Sequence, residues 1–314
     1  MSSSEPLDIK NYIGLTGDTP IRFIASDVDG TLVNDAKSVD PEVVAAVRAA
    51  RESGIRVAIA SGRAWHEMDD VIDAMPCLRY FVCTNGAYVM DKEEKKELVH
   101  ISFDKTRAID LVRKLMTYGV FVEAYVKAEI FGQYPTVGNE TLQAERFFRP
   151  NIRPFILKTR TMVPDLLAHL ESLPEGPEKI QIFYGDERIR ERILADLRDD
   201  FQGATTDGKG RERFYDVLES SEGNLEFVLP HTTKGTAVEA LANHWGYTPD
   251  EVMTIGDSEN DLSMIRFAGA SVAMGNARDN VKATARYATT DNNNYGVARA
   301  LYSAIAHNRE LEGK

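Results

Sequence analysis

The sequence contains very little cysteine. Only two of its 314 residues are cysteines, Cys77 and Cys83, which is too few for a disulfide framework in a chain of this length. Neither has another cysteine or a histidine at the short spacing of a zinc site, which argues against a zinc centre. We therefore expect two buried thiols in a cytoplasmic protein.

Long apolar runs and a surplus of positive charge are also missing. No segment of about 18 apolar residues is present, which excludes a transmembrane helix, and the first residues lack the basic start and apolar core of a secretory signal. Lysines and arginines number 37 against 49 aspartates and glutamates, a net charge of −12. A nucleic-acid partner requires a basic surface that displaces counterions, so we expect neither nucleic acid nor membrane as a partner.

What is present is the composition of an ordinary globular protein. Hydrophobic residues make up 43% and charged residues 27% of the chain, which excludes wholesale disorder. The length indicates about two domains. Residues 1–20 are polar and have no periodic apolar pattern, so we expect them to form a flexible leader.

From Ile21 onward, short apolar segments alternate with helical patterns. A strand through residues 21–25 is followed by a helix that begins at Pro41, and a second strand runs through residues 55–59. Proline is favoured at the first position of a helix, and a short apolar run is typical of a strand buried on both faces. This alternation predicts a doubly wound α/β fold with a parallel sheet.

In the middle of the chain this alternation breaks. Prolines become frequent, and Ile180, Ile182 and Tyr184 alternate with Gln181 and Phe183 in a pattern typical of a sheet strand. The earlier pattern resumes with a strand through residues 225–229. We therefore predict a doubly wound, Rossmann-like core from residues 21–102 and 206–314, with an α/β cap domain of residues 103–205 inserted into it.

Four strand ends of the predicted core carry polar residues. They are Asp27 to Thr31 after the first strand, Ser61 to Arg63 after the second, Lys234 after the strand through residues 225–229, and Gly256 to Asp261 after the last. In an open parallel sheet, ligands bind at the carboxyl ends of the strands. We expect these four segments to converge on one site.

The carboxylates in these segments predict a magnesium site. Asp27 and Asp29 flank a single residue, Val28, and two carboxylates this close do not both ionise easily unless a cation lies between them. Asp257 and Asp261 add negative charge from another strand end. Carboxylates without histidine or cysteine suit Mg²⁺. A calcium loop starting at Asp257 would need glycine at its sixth position, where Leu262 stands.

The other residues of these segments suit a phosphoryl group. Ser61 offers a hydroxyl, Gly62 lets backbone N–H groups approach an anion before a helix, and Lys234 supplies a positive charge. One aspartate could then act as a nucleophile that forms an aspartyl-phosphate. A second could act as general acid and then as general base.

Together, these segments resemble the motifs of a known superfamily. DVDGTL at 27–32, SGR at 61–63, Lys234-Gly235 and GDSENDLSM at 256–264 are similar, in this order, to the four motifs of the haloacid dehalogenase-like hydrolases. With a cap-sized gap after the second motif, the chain resembles the Cof-type phosphatases of that superfamily. The stretch Thr84 to Ala87 is also similar to theirs, and the resemblance covers about residues 22–306.

The resemblance implies a role for each matching carboxylate. Asp27 would be the nucleophile and a metal ligand. Asp29 would be the general acid and base, with its backbone carbonyl on Mg²⁺. Asp257 would be a further metal ligand, and Asp261 would support it.

The resemblance also implies a phosphate site formed by Ser61, Gly62, Lys234 and Asn260. Supporting residues or substrate contacts would be Thr31, Arg63, Asn85 and Asp261. Some of these residues also have a purely structural explanation. Ser61 and Asp261 can cap helices, and Arg63 can form a structural ion pair. Asn85 can occupy a turn of positive φ before a glycine.

The expected function is Mg²⁺-dependent hydrolysis of small phosphorylated metabolites, most simply sugar phosphates, with the cap selecting the leaving group. Two alternatives stay open. A phosphomutase or phosphotransferase would use the same nucleophile with a second sugar in place of water. A phospho-acceptor signalling module also gathers acidic residues around Mg²⁺, although the general acid Asp29 and an inserted cap are not typical of one.

Overall fold

The structure is a computed structural model that describes residues 13–135, 140–198, 213–219 and 223–313. Its strands are β1 (Phe23–Ser26), β2 (Arg56–Ala60), β3 (Tyr80–Cys83), β4 (Tyr88–Asp91), β5 (Lys96–His100), β6 (Phe121–Val126), β7 (Glu129–Gln133), β8 (Thr161–Met162), β9 (Lys179–Phe183), β10 (Asp216–Leu218), β11 (Asn224–Val228), β12 (Val252–Gly256), β13 (Ala270–Ala273) and β14 (Tyr287–Ala288).

The α-helices in these ranges are α1 (Pro41–Glu52), α2 (Asp69–Ala74), α3 (Lys105–Met116), α4 (Glu140–Phe147), α5 (Arg153–Thr159), α6 (Leu166–Ser172), α7 (Glu187–Asp196), α8 (Lys234–His244), α9 (Leu262–Phe267), α10 (Asp279–Thr284) and α11 (Gly296–Glu312). Among the described helices, none combines the length and the hydropathy that a membrane span requires.

The first of two compact units contains the chain up to Arg63, Met68–Val99 and the chain from Thr233 onward. Its sheet has the strand order β14-β13-β12-β1-β2-β3-β4-β5. β1 pairs in parallel with β2 on one side and with β12 on the other, and all four residues of β1 are buried. A strand covered on both faces needs a continuous apolar run. The predicted doubly wound parallel sheet is confirmed.

The predicted leader is partly outside the described residues, which begin at Ile13. Its described part is bonded to the first unit. The Ile13 backbone N–H donates to Ser303 Oγ at 3.0 Å, and Thr16 Oγ1 lies 3.1 Å from the Tyr287 hydroxyl. Ile13 and Thr16 therefore have hydrogen-bond partners in α11 and β14.

The second unit contains Ala64–Glu67 and His100–Thr232. Its sheet has the order β10-β11-β9-β6-β7-β8, and its central pairs are antiparallel. One sheet face packs against α3, α6 and α7 through an apolar core. The other face carries buried polar side chains: Arg160 donates to Glu123 at 3.0 Å, and Lys179 lies 3.5 Å from Glu226.

The apolar pattern predicts residues 225–229 in the core, whereas the structure places them in the second unit. Leu225 of β11 pairs antiparallel with Ile182 of β9. The second unit therefore runs on to Thr232, and the predicted boundary at 205/206 lies outside the described residues. A short buried strand has the same apolar pattern in either sheet, so periodicity alone does not show which sheet it joins. Cys83 is buried as expected, but Cys77 is only half-buried.

Candidate active site

The carboxyl ends of β1, β2 and β12 lie side by side in the first unit. Ser26, the last residue of β1, is in register with Ile59 of β2 and with Ile255 of β12. The chain segments that begin at Asp27, Ser61 and Asp257 leave the sheet at this shared edge. Three of the four predicted segments are thus brought together by strand pairing alone.

Lys234 joins them from the start of α8. Thr233 caps this helix, because its side chain accepts from the Thr236 backbone N–H while Thr236 bonds back to the Thr233 backbone. This capping box fixes the first turn of the helix. Lys234 Nζ lies 2.5 Å from Asp27 Oδ1 and 2.6 Å from Asp261 Oδ1, and Lys234 is only 1% exposed. A buried ammonium therefore bridges two buried carboxylates.

Asp27, Asp257 and Asp261 form an acidic cluster, in which one carboxylate oxygen from each lies within 4.8 Å of the others. Asp261 Oδ2 accepts from the backbone N–H groups of Asp257 and Ser258, at 2.9 and 3.0 Å. With all three carboxylates ionised, the cluster and Lys234 have a formal charge of −2. A divalent cation would cancel that charge, and carboxylate oxygens are the ligands that Mg²⁺ prefers.

The pKa values in the acidic cluster reflect this crowding. Burial and the neighbouring Asp261 carboxylate raise the pKa of Asp27 well above its ordinary value, although Lys234 works against them. Burial also raises the pKa of Asp257. Burial opposes the charge of Lys234, but Asp261 and Asp27 outweigh it and raise the pKa of the ammonium. Lys234 stays charged, whereas Asp27 and Asp257, whose pKa values are raised, need a further positive charge to ionise easily.

A glycine turn after β1 holds Asp257 in place. Gly30 has φ +76°, and a Cβ there would lie 2.6 Å from Asp257 Oδ2. Thr31 Oγ1 donates to Asp257 Oδ1 at 2.9 Å, and Asn276 Nδ2 donates to the Gly30 carbonyl at 2.7 Å. Only glycine combines this φ with so close an approach. Thr31 lies where the sequence predicted a supporting residue, but Asn276 was not predicted.

Asp29 faces a different set of side chains. Its Oδ2 accepts from Arg63 Nε at 2.8 Å, and its Oδ1 accepts from another Arg63 nitrogen at 2.8 Å and from Lys37 at 3.2 Å. Burial would raise the pKa of Asp29, but the hydrogen bonds and charge of Arg63 outweigh burial and lower it. The side chain of Asp29 is thus not in the acidic cluster, in which Asp261 stands instead. A contact of Asp29 with a metal through its backbone carbonyl remains a prediction.

Of the residues predicted around the phosphate, Gly62, Asn85 and Asn260 lie next to one another. Ser61 is 2% exposed, and its Oγ accepts from the Arg63 backbone N–H at 3.2 Å. Asn260 Nδ2 donates to Asn85 Oδ1 at 3.2 Å. A Cβ at Gly62 would lie 3.0 Å from the same Asn85 oxygen. The structure therefore connects Gly62, Asn85 and Asn260, which come from three separate parts of the chain.

Lys37, which contacts Asp29, was missed by sequence reasoning. It lies in a turn, where its φ is +59° and its N–H bonds to the Asn34 carbonyl at 2.9 Å. No motif surrounds it, and its distance from Asp29 depends on the path of that turn.

The structural alternative for Arg63, an ion pair, is also present, because Arg63 binds Asp29 with two nitrogens.

Comparison with known proteins finds similarity to haloacid dehalogenase-like hydrolases over nearly the whole chain. A family model described as haloacid dehalogenase-like hydrolase matches residues 24–301. Phosphatase YwpJ of Bacillus subtilis is 30% identical over 290 residues, which cover 90% of this chain and 99% of that protein. The 5-amino-6-(5-phospho-D-ribitylamino)uracil phosphatase YcsE of the same organism is 27% identical over 284 residues, 90% of this chain and 96% of YcsE.

A solved structure supports the same conclusion. The crystal structure of a haloacid dehalogenase-like hydrolase from Bacteroides thetaiotaomicron is similar with a TM-score of 0.73 and 27% sequence identity, covering 90% of this chain and 98% of the other. Residues 24–301, which the family model matches, contain all four predicted segments, from Asp27 to Asp261. The resemblance predicted from the motifs is confirmed, and the chain belongs to the haloacid dehalogenase-like hydrolases.

Proposed function

We propose that the protein is a Mg²⁺-dependent phosphomonoester hydrolase that acts on small phosphorylated metabolites through an aspartyl-phosphate on Asp27. The observation that carries this proposal is the buried contact of Lys234 with Asp27 and Asp261 beside Asp257. It supplies a carboxylate nucleophile, one fixed positive charge and an excess of acceptor oxygens at one point. The family relationship and the phosphatase names of the relatives support the reaction class.

Asp27 and Asp257 are the side chains that would hold the metal ion, with the Asp29 backbone carbonyl as a further ligand. The acidic cluster fits a divalent cation because its formal charge with Lys234 is −2 and because burial raises the pKa values of Asp27 and Asp257. When bound, the cation would neutralise phosphoryl oxygens and favour the ionised form of the nucleophile. Asp261 has both oxygens bonded, to Lys234 and to two backbone N–H groups, so its role is to position its neighbours.

In the first half of the reaction, a carboxylate oxygen of Asp27 attacks phosphorus, and the bond from phosphorus to the ester oxygen breaks. Asp29 gives its proton to the departing oxygen. Lys234 offsets the negative charge around Asp27 during this step. In the second half, Asp29 takes a proton from water, whose oxygen attacks phosphorus, and inorganic phosphate and free Asp27 are released.

The environment of Asp29 matches the second half better than the first. Arg63 and Lys37 lower its pKa and hold it as a carboxylate, which is the form that accepts a proton from water. To donate a proton in the first half, Asp29 must be released from Arg63. We therefore propose that Arg63 exchanges Asp29 for the substrate during turnover, which agrees with its predicted place near the substrate.

The proposed substrate is a small molecule with a phosphate on a polar carbon chain. The name of YcsE describes such a molecule, a phosphorylated ribityl group on a uracil. The net charge of −12 repels long polyanions. A single phosphate is small enough to depend mainly on the local positive charge of Lys234. Sugar phosphates and related metabolites are thus the class to test first.

The experiment incubates the protein with a panel of phosphorylated metabolites, in the presence of Mg²⁺ or of a chelator, and measures the release of inorganic phosphate. We expect activity with Mg²⁺ only, and loss of it in Asp27→Asn. Asp250→Asn is the matched control because it makes the same change at an exposed position. Asp250 lies before β12, at the end of that strand opposite to the acidic cluster. Chelator-insensitive turnover, or near-normal rates in Asp27→Asn, would overturn the proposal.

A further inference from the structure

The turn formed by Thr84, Asn85 and Gly86 after β3 has an unusual backbone. Its three residues have positive φ values of +48°, +54° and +107° in succession. L-residues rarely adopt this region, and a β-branched residue such as threonine is an outlier in it. Backbone strain of this kind persists only when the surrounding structure imposes it, and it is concentrated at functional sites.

The surroundings of the turn are the predicted phosphate-binding segments. The Thr84 N–H donates to the Arg63 carbonyl and the Asn85 N–H donates to the Ser61 carbonyl, both at 3.0 Å. Gly86 packs so closely that a Cβ would lie 2.3 Å from the Thr233 carbonyl oxygen. The turn therefore ties the segment after β2 to the residue before Lys234.

The side chain of Thr84 gains nothing from this conformation. Thr84 is 4% exposed, and its hydroxyl has no hydrogen-bond partner in the described part of the chain. A buried hydroxyl without a partner is itself unfavourable. The backbone hydrogen bonds hold the turn in place, but the Thr84 side chain does not benefit from it, so the next group to consider is the side chain of Asn85.

The orientation of the Asn85 amide follows from a chain of hydrogen bonds. Ser258 Oγ donates to Asn260 Oδ1 at 2.6 Å, and Asn260 Nδ2 donates to Asn85 Oδ1 at 3.2 Å. Asn85 therefore uses its oxygen as the acceptor and keeps its Nδ2 as a donor. Within the described ranges, that Nδ2 has no partner. A Cβ at Gly62 would lie 3.2 Å from it, so the donor is beside the predicted phosphate loop.

We propose that Asn85 is a substrate-binding residue whose Nδ2 donates a hydrogen bond to an oxygen of the phosphoryl group, and that the strained turn exists to hold it there. This inference rests on the proposed phosphatase function. The donor is neutral, and it would bind the phosphoryl oxygens of substrate, transition state and released phosphate alike. Such uniform binding lowers KM and leaves kcat nearly unchanged.

The test uses Asn85→Gly and Asn85→Asp in the full chain. Asn85→Gly removes the amide and suits the φ of +54°, so the variant should fold at least as well as the parent. Asn85→Asp keeps the shape but replaces the donor with a negative oxygen. Asn243→Asp, at an exposed position on α8, makes the same charge change away from the site.

Two quantities are measured: kcat and KM for a phosphomonoester that the parent protein hydrolyses, and the Kd of inorganic phosphate by calorimetry with Mg²⁺ present. Loss of one hydrogen bond to a charged oxygen should raise KM and Kd together by about 10- to 100-fold in Asn85→Gly. The increase should be larger in Asn85→Asp, and Asn243→Asp should behave like the parent.

An unchanged phosphate Kd in both Asn85 variants would overturn the inference, as would a fall in kcat with normal KM and Kd. These outcomes differ from failure of the proposed function, which would be seen as a parent protein that hydrolyses no phosphomonoester. The phosphate-binding measurement tests Asn85 even then, because it requires no turnover.

Discussion

Replacing Lys234 with methionine would remove the buried positive charge that contacts both Asp27 and Asp261. Methionine has a similar length and can fill the space, so the main change is electrostatic. Two buried carboxylates would then face each other without their shared partner. Removing one partner of a buried ion pair costs about 3–5 kcal/mol of unfolding free energy.

The loss should depend on pH and on Mg²⁺ in a definite way. Burial and Asp261 already raise the pKa of Asp27 in the folded protein, and Lys234 opposes this rise. Without Lys234 the pKa of Asp27 in the folded protein rises further, and it lies still further above the pKa of the same residue in the unfolded chain. The destabilisation is therefore small at acid pH and grows as the pH rises above the ordinary carboxyl pKa of about 4. Mg²⁺ should offset part of it.

The assay is urea denaturation of the parent and of Lys234→Met, with chelator or with Mg²⁺, at acid and at neutral pH. The matched control is Lys179→Met, because Lys179 is also buried, at 3% exposure, and lies 3.5 Å from Glu226 in the second unit. The control should lose stability without losing stabilisation by Mg²⁺. A loss below about 1 kcal/mol for Lys234→Met in chelator, the size of an exposed ion pair, would refute this reasoning.

Asp257→Asn should weaken Mg²⁺ binding at least about 10-fold in calorimetry, whereas Asp250→Asn at the other end of β12 should not change it. Gly30→Ala should abolish most activity and lower the unfolding free energy by about 1–2 kcal/mol, because its Cβ would meet Asp257 at a φ of +76°; normal activity would count against the placement of that carboxylate. Arg63 lowers the pKa of Asp29, so their pair stabilises the fold above the ordinary carboxyl pKa and is lost as the pH falls through the lowered value. Arg63→Gln should therefore weaken the pH dependence of stability on the acid side, and an unchanged profile would argue against the pair.

Much of the site could be predicted because the sheet itself assembles it. Asp27 and Asp257 follow adjacent parallel strands, so any doubly wound sheet with this strand order brings them together. The position of Lys234 follows from its place at the start of α8, after a capping threonine. The start of a helix and the polar residues at strand ends are local patterns that can be read from a sequence, and a parallel sheet places such strand ends along one edge.

The individual contacts could not be predicted in the same way. Asp261 has two backbone N–H partners, and its bond to Lys234 depends on the path of the turn after β12. The spacing of Asp27 and Asp29 predicts a cation between their carboxylates, but the Asp29 side chain binds Arg63 instead and lies outside the acidic cluster. Spacing in a motif does not specify such directions.

The second unit was the part predicted least well. β11 is a short buried strand whose antiparallel partner β9 lies far from it in sequence, and no local signal distinguishes this pairing from a place in the core sheet. Buried charges such as Arg160 and Glu123 are also invisible to hydrophobic periodicity, because each is stable only through its partner.

The central claim is that Asp27 is the nucleophile, and trapping the phosphorylated protein tests it most directly. Asp29→Asn lacks the base for the second half-reaction, so with Mg²⁺ and p-nitrophenyl phosphate, whose leaving group needs little acid assistance, the intermediate should accumulate. After an acid quench, peptide mass spectrometry should find one phosphoryl group on the peptide that contains Asp27, and none when Asp27→Asn is added. Phosphate release without any adduct, or an adduct on another peptide, would contradict the account.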